Sequence, residues 1–83
     1  MNQEMIGKFL AEERKNKEYT QKQMADILNV SDKTISKWET GKSLPDLEMM
    51  SQLCQIFDIS INELLSGERI STEEKKWDMK QFW

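Results

Sequence analysis

Thr-Gln-Lys-Gln-Met-Ala-Asp-Ile-Leu-Asn-Val-Ser-Asp-Lys-Thr-Ile-Ser-Lys-Trp-Glu-Thr-Gly-Lys-Ser-Leu-Pro-Asp, residues 20–46, holds two helix starts and two helix stops. Thr20 is a good N-cap, and Gln23 stands three residues on as its capping-box partner. Met24, Ala25, Ile27 and Leu28 supply one apolar face of the helix that follows, over about 21–28. Asn29 tolerates the left-handed conformation that ends such a helix. Ser31 is the next N-cap, with Asp32 where a helix dipole favours negative charge. In a second helix over about 32–40, Ile35 and Trp38 point to a core, three residues apart. Asp32, Lys33, Ser36 and Lys37 are left facing outward. Gly41 stops this helix and Pro45 prevents its resumption.

A short helix, a tight turn and a second helix with polar residues near its start is the layout of a helix-turn-helix reader of DNA. The stretch resembles the lambdoid phage repressor and Cro family, also called XRE-type. Thr20-Gln21, Ala25, Asn29-Val30-Ser31, the run from Ile35 to Glu39 and Gly41-Lys42 sit at that family's spacing. The likeness extends from about Ile6 to Gly67. It implies an all-α, compact five-helix, lambda-repressor-like domain over 1–67, with the motif at about 21–40. A charged and aromatic tail over 68–83 follows.

Composition restricts the alternatives. Eighty-three residues allow one small core. No apolar run approaches ~18 residues, so no transmembrane helix is expected within the sequence. The first residues lack the basic and apolar regions of a signal peptide. One Cys and no His argue against a disulfide, a zinc site or a metal or other cofactor. Enzymatic chemistry is unexpected: there is no His, no paired nucleophile, no phosphate-cradling glycine loop and no acidic metal cluster. The expected place of action is the cytoplasm.

Net charge is −3, which at first argues against a DNA partner, but distribution matters more than the total. Residues 1–19 balance, as do 71–83. In 20–45, Lys22, Lys33, Lys37 and Lys42 outnumber Asp26, Asp32 and Glu39. In 46–70, Asp46, Glu48, Asp58, Glu63 and Glu68 face one cation, Arg69. The resemblance puts most of that acidity behind the second motif helix, leaving a mildly basic front.

Outside the motif, a first helix over about 4–17 carries Ile6, Phe9 and Leu10 as its stripe. Glu13 falls where the stripe should continue and where the family has an apolar residue, implying either a slight rotation or a place at a solvent edge. The resemblance implies an Arg14–Glu39 ion pair holding this helix to the second motif helix; the alternative is a solvated arginine. Glu18 replaces a glycine common in the family, so a positive φ there would be strained. Asp46 caps a fourth helix with Leu47, Met50, Leu53, Cys54 and Phe57 on its core face, and Asp58 ends it. Cys54 reads as a small buried hydrophobe. Ser60 caps a fifth helix, Ile61 to Leu65, and Gly67 ends it. Ser71 or Thr72 is placed to cap a sixth. Three readings of Trp77, Phe82 and Trp83 stay open: packing on the domain or on a dimer mate, the approach to a membrane span or second domain, or a frayed end.

Position-for-position analogy assigns Asp32, Lys33 and Lys37 to base edges in the major groove, with Thr34 and Ser36 beside them. Lys33 and Lys37 lie one turn apart and share a face. Lysine suits guanine O6 and N7, and the Thr34 methyl suits thymine. Asp32 departs from the family pattern. It can accept from cytosine N4 but repels phosphate, or it serves the helix dipole alone. Gln21 is expected to grip a phosphate and brace the second helix. Thr20, Ser31, Lys42 and Ser43 complete the expected phosphate contacts. Trp38 reads as core, with Ile35 as its partner.

The expectation is therefore a sequence-specific DNA-binding transcriptional regulator, a repressor, acting as a homodimer on double-stranded DNA. A protein-interaction module on the same fold, an antitoxin or an adaptor using the aromatic tail, is the alternative.

Overall fold

The computed structural model describes residues 2–70. Five helices follow one another: α1 (Gln3–Asn16), α2 (Gln21–Leu28), α3 (Asp32–Glu39), α4 (Leu47–Phe57) and α5 (Ile61–Ser66). No strand occurs among the described residues.

Each helix start has a side chain that satisfies an otherwise orphaned backbone N–H. Asn2 accepts from the Met5 amide, Thr20 from Gln23, Ser31 from Thr34, Asp46 from Met49 and Ser60 from Glu63. At Thr20 and Ser60 the third helical residue returns the bond, completing capping boxes. Such caps contribute about 0.5–2 kcal/mol each, which matters for helices of six to eight residues. Three of the stops are left-handed residues: Asn29 (φ 59°) after α2, Asp58 (φ 54°) after α4 and Gly67 (φ 72°) after α5. Glu18 also sits at φ 61°, so the residue that replaces the family's glycine does take the strained conformation.

The core joins Ile6, Phe9 and Leu10 of α1 to Met24, Ala25 and Leu28 of α2. Ile35 and Trp38 of α3, Met50, Leu53 and Phe57 of α4, Ile59, and Leu64 of α5 complete it. Tyr19, Val30, Leu44, Met49, Cys54 and Ile56 pack around its edge.

Four expectations need correction. Ile27 is half exposed, so the buried face of α2 is Met24, Ala25 and Leu28 alone. Leu47, the first residue of α4, is 78 % exposed. Helical side chains lean toward the N-terminus, so a first-turn residue projects past the body it precedes. Cys54 is only partly buried, at the core's edge. Glu13 is neither at a solvent edge nor rotated away: it is 5 % exposed and ion-paired. Ser71, Thr72, Trp77, Phe82 and Trp83, on which the sixth helix and the tail readings rest, lie outside the described residues.

Candidate nucleic-acid interface

What α3 can present to a partner depends on how it is held. Ile35 and Trp38, 0 % and 5 % exposed, seat one side of it in the core. Its last residue, Glu39, is gripped from two other helices. Arg14 of α1 donates from Nε to Glu39 Oε2 at 2.7 Å and from Nη2 to Oε1 at 3.1 Å. Gln21, at the start of α2, donates from Nε2 to Oε1 at 3.0 Å. A third donor of Arg14, Nη1, reaches the Tyr19 carbonyl at 2.8 Å and ties down the α1–α2 loop. The side chains of Arg14 and Glu39 are 11 % and 7 % exposed, so this fork-on-fork pair lies largely out of water. Three helices thus meet at one carboxylate.

Gly7 sets how close α1 comes to the end of α3. A Cβ added there would collide with the Trp38 and Glu39 carbonyl oxygens. Gln3 adds a bond from Nε2 to the Gly41 carbonyl at 3.1 Å. Gly41 itself has φ 77° and lies against Glu4. Reasoning from sequence missed Gly7. Its available signal was a glycine inside an apolar helical pattern, where it costs about 1 kcal/mol against alanine and needs a packing reason.

The opposite side of α3 is open. Ser31, Asp32, Lys33 and Lys37 are exposed, with Thr34 and Ser36 half-buried beside them. Ser31 and Thr34 share a bond between their hydroxyls at 2.9 Å, and the Ser31 hydroxyl also caps the helix. Both are therefore oriented in the absence of a partner. Beyond the helix, the amides of Lys42 and Ser43 both donate to the Lys37 carbonyl, at 2.9 and 3.3 Å. That wraps the loop onto α3 and leaves the Lys42 side chain exposed and Ser43 half-buried. Thr20 is exposed at the start of α2, where Lys22 adds an exposed cation. Gln21 commits one amide hydrogen to Glu39, leaving its carbonyl oxygen and second hydrogen for another partner.

The open face therefore combines three exposed lysines, Lys33 and Lys37 of α3 and Lys42 of the loop after it, with hydroxyls and one carboxylate, and the other side of α3 is seated in the core and held at Glu39. No helix among the described residues is long and apolar enough to cross a membrane.

A helix-turn-helix family model matches residues 10–64. The chain is 44 % identical over 73 residues to the HTH-type transcriptional activator BcrR of Enterococcus faecalis, covering 84 % of this chain and 36 % of that protein. It is 37 % identical over 71 residues to the cryptic phage CTXphi transcriptional repressor RstR of Vibrio cholerae, covering 86 % of this chain and 62 % of that protein. The chain thus spans about one third to under two thirds of these relatives. Among solved structures, the clp gene regulator ClgR from C. glutamicum superposes with a TM-score of 0.67 at 25 % identity, over 78 % of this chain and 84 % of that one.

Proposed function

We propose, from the premise that this chain belongs to the XRE-type helix-turn-helix family, that it is a sequence-specific DNA-binding transcriptional regulator. The observation that carries this reading is the two-sidedness of α3. One side is locked by Ile35, Trp38 and the Glu39 hub, and the other offers Asp32, Lys33, Ser36 and Lys37. A major groove about 12 Å wide admits one helix, and rigid support means little ordering cost when it docks. Lys33 and Lys37 then reach base edges, with Asp32 and Thr34 at the leading end. Thr20, Gln21, Ser31, Lys42 and Ser43 flank them on the phosphates and set the register.

One copy covers a half-site. A homodimer on a near-palindromic site supplies the rest of the affinity. Acting in the cytoplasm, it represses by occupying its site. The relatives include a named activator and a named repressor, so the direction of control is tested with a promoter fused to a reporter. Deleting the gene should raise output. A fall would make the protein an activator.

Selection of bound duplexes from a random pool tests the reading itself and yields the half-site and its spacing. With that site in hand, Lys37→Ala should weaken specific binding by about 1–3 kcal/mol and relax one position, while Lys42→Ala should weaken all sequences alike. If Lys37→Ala left affinity and preference intact, α3 would not be the reading element.

A further inference from the structure

Glu13 stands where the family pattern has an apolar residue, and yet it is buried. A carboxylate in that position persists as a charge only with a partner. The partner comes from 56 residues along the chain: Arg69 donates from Nη2 to Glu13 Oε1 at 2.7 Å and from Nε to the same oxygen at 3.1 Å. The same Nη2 also reaches the Phe57 carbonyl at 2.9 Å, at the end of α4, where carbonyls have no partner within the helix. One residue later the Ile70 amide donates to Glu63 Oε2 at 2.8 Å, while Glu63 Oε1 caps α5 through the Ser60 amide. Upstream, Gly67 lies against the Met5 backbone, so the chain from Gly67 to Arg69 follows α1 from Met5 to Glu13.

This end of the fold is tied to α3 through adjacent residues. Glu13 holds the departing chain, and Arg14, about 100° further round the same helix, holds Glu39. If Arg69 is drawn away, Glu13 is left buried and unpaired. Glu13 must then take up a proton or move toward water, and a turn of α1 that brings it to water moves Arg14 away from Glu39.

We propose that Glu13, Arg69 and Glu63 form a clasp that pins the chain where it leaves the five-helix body, and that α1 transmits the state of this clasp to α3 through Arg14 and Glu39. Calling α3 the DNA-reading helix rests on the function proposed above; the clasp and its transmission do not.

The test uses the 83-residue chain without DNA. Hydrogen exchange is followed by NMR at the Ile70 amide, at the Arg14 Nε–H and at core amides such as Ile35 and Leu53. In Arg69→Gln, Ile70 should exchange about tenfold faster and Arg14 Nε–H several-fold faster, with the core unchanged. Arg69→Lys, which keeps the charge but loses the fork, should fall between Arg69→Gln and the unaltered chain. If Arg69→Gln does not fold, Glu13→Gln/Arg69→Gln, which buries no charge, replaces it with the same expectation at Ile70. Unchanged exchange at Ile70 overturns the clasp. Acceleration at Ile70 with Arg14 unmoved overturns the transmission, and uniform acceleration of the core overturns both. Titrating the unaltered chain with the selected duplex reports separately on DNA reading, so a failure there leaves the clasp standing.

Discussion

Arg14 and Glu39 show how one pair of side chains can govern a surface neither belongs to. Both are buried enough that removing either strands its partner. Arg14→Ala should destabilise the fold by about 3–5 kcal/mol, more than any exposed lysine on α3, read as a shift in urea midpoint. A double replacement by apolar residues of similar size should recover much of that loss, because neither charge is then stranded. Cys54 gives a different residue-scale expectation. Burial, and then the nearby Glu63 charge, push its thiol pKa up. The thiolate is the reactive form, so at pH 8 the folded chain should be alkylated by iodoacetamide about tenfold more slowly than the urea-unfolded chain. The difference should narrow as pH rises through the folded-state value. A Cys54 that reacts at the unfolded rate would mean the α4 edge opens freely.

At the scale of elements, the contact between α1 and α3 is set by Gly7. Replacing a helical glycine with alanine ordinarily stabilises by about 1 kcal/mol. Here the added methyl meets the backbone oxygens of Trp38 and Glu39, which cannot rotate aside. Gly7→Ala should therefore destabilise, by about 1–3 kcal/mol net, and weaken duplex binding because α3 is pushed outward. Chemical denaturation and a duplex titration of the same variant check both halves; a stabilised Gly7→Ala would show that α1 and α3 separate without cost. The two-helix motif itself was readable along the chain. Thr20, Gln23, Asn29 and Ser31 act on backbone groups within three or four residues, so their sequence order already specifies the structure. Ile27 and Leu47 were not readable. Apolar identity and spacing suggest a face, but not how far a neighbouring helix extends to cover it.

For the whole molecule, the question is how a chain of net charge −3 meets a polyanion. The cations near the open face are Lys22, Lys33, Lys37 and Lys42, while Asp58, Glu63 and Glu68 belong to the last helices and their flanks. If three or four phosphates are neutralised per copy, the logarithm of affinity should fall with the logarithm of salt concentration with a slope of roughly −3 per copy. A slope near zero on random duplex, together with a tight protein partner, would favour an interaction module.

Local order and charge in the sequence were enough to establish the caps at Thr20, Ser31, Asp46 and Ser60, though not Asn2, together with the two motif helices and the outward placing of Asp32, Lys33 and Lys37, with Ser36 half-buried beside them. These depend on near neighbours and on periodicity. The resemblance added the Arg14–Glu39 pair, and the structure gave it a third member in Gln21 and a loop contact at Tyr19. Only the tertiary structure decided that Glu13 is buried rather than solvated, because its counter-charge lies at Arg69, beyond the reach of any local pattern. It also decided that Gly7 is a point of helix crossing, since a glycine's neighbours in space are not encoded by its neighbours in sequence. Residues 20–46 specify what is presented, and contacts from α1, which lies outside that stretch, help to hold it in place.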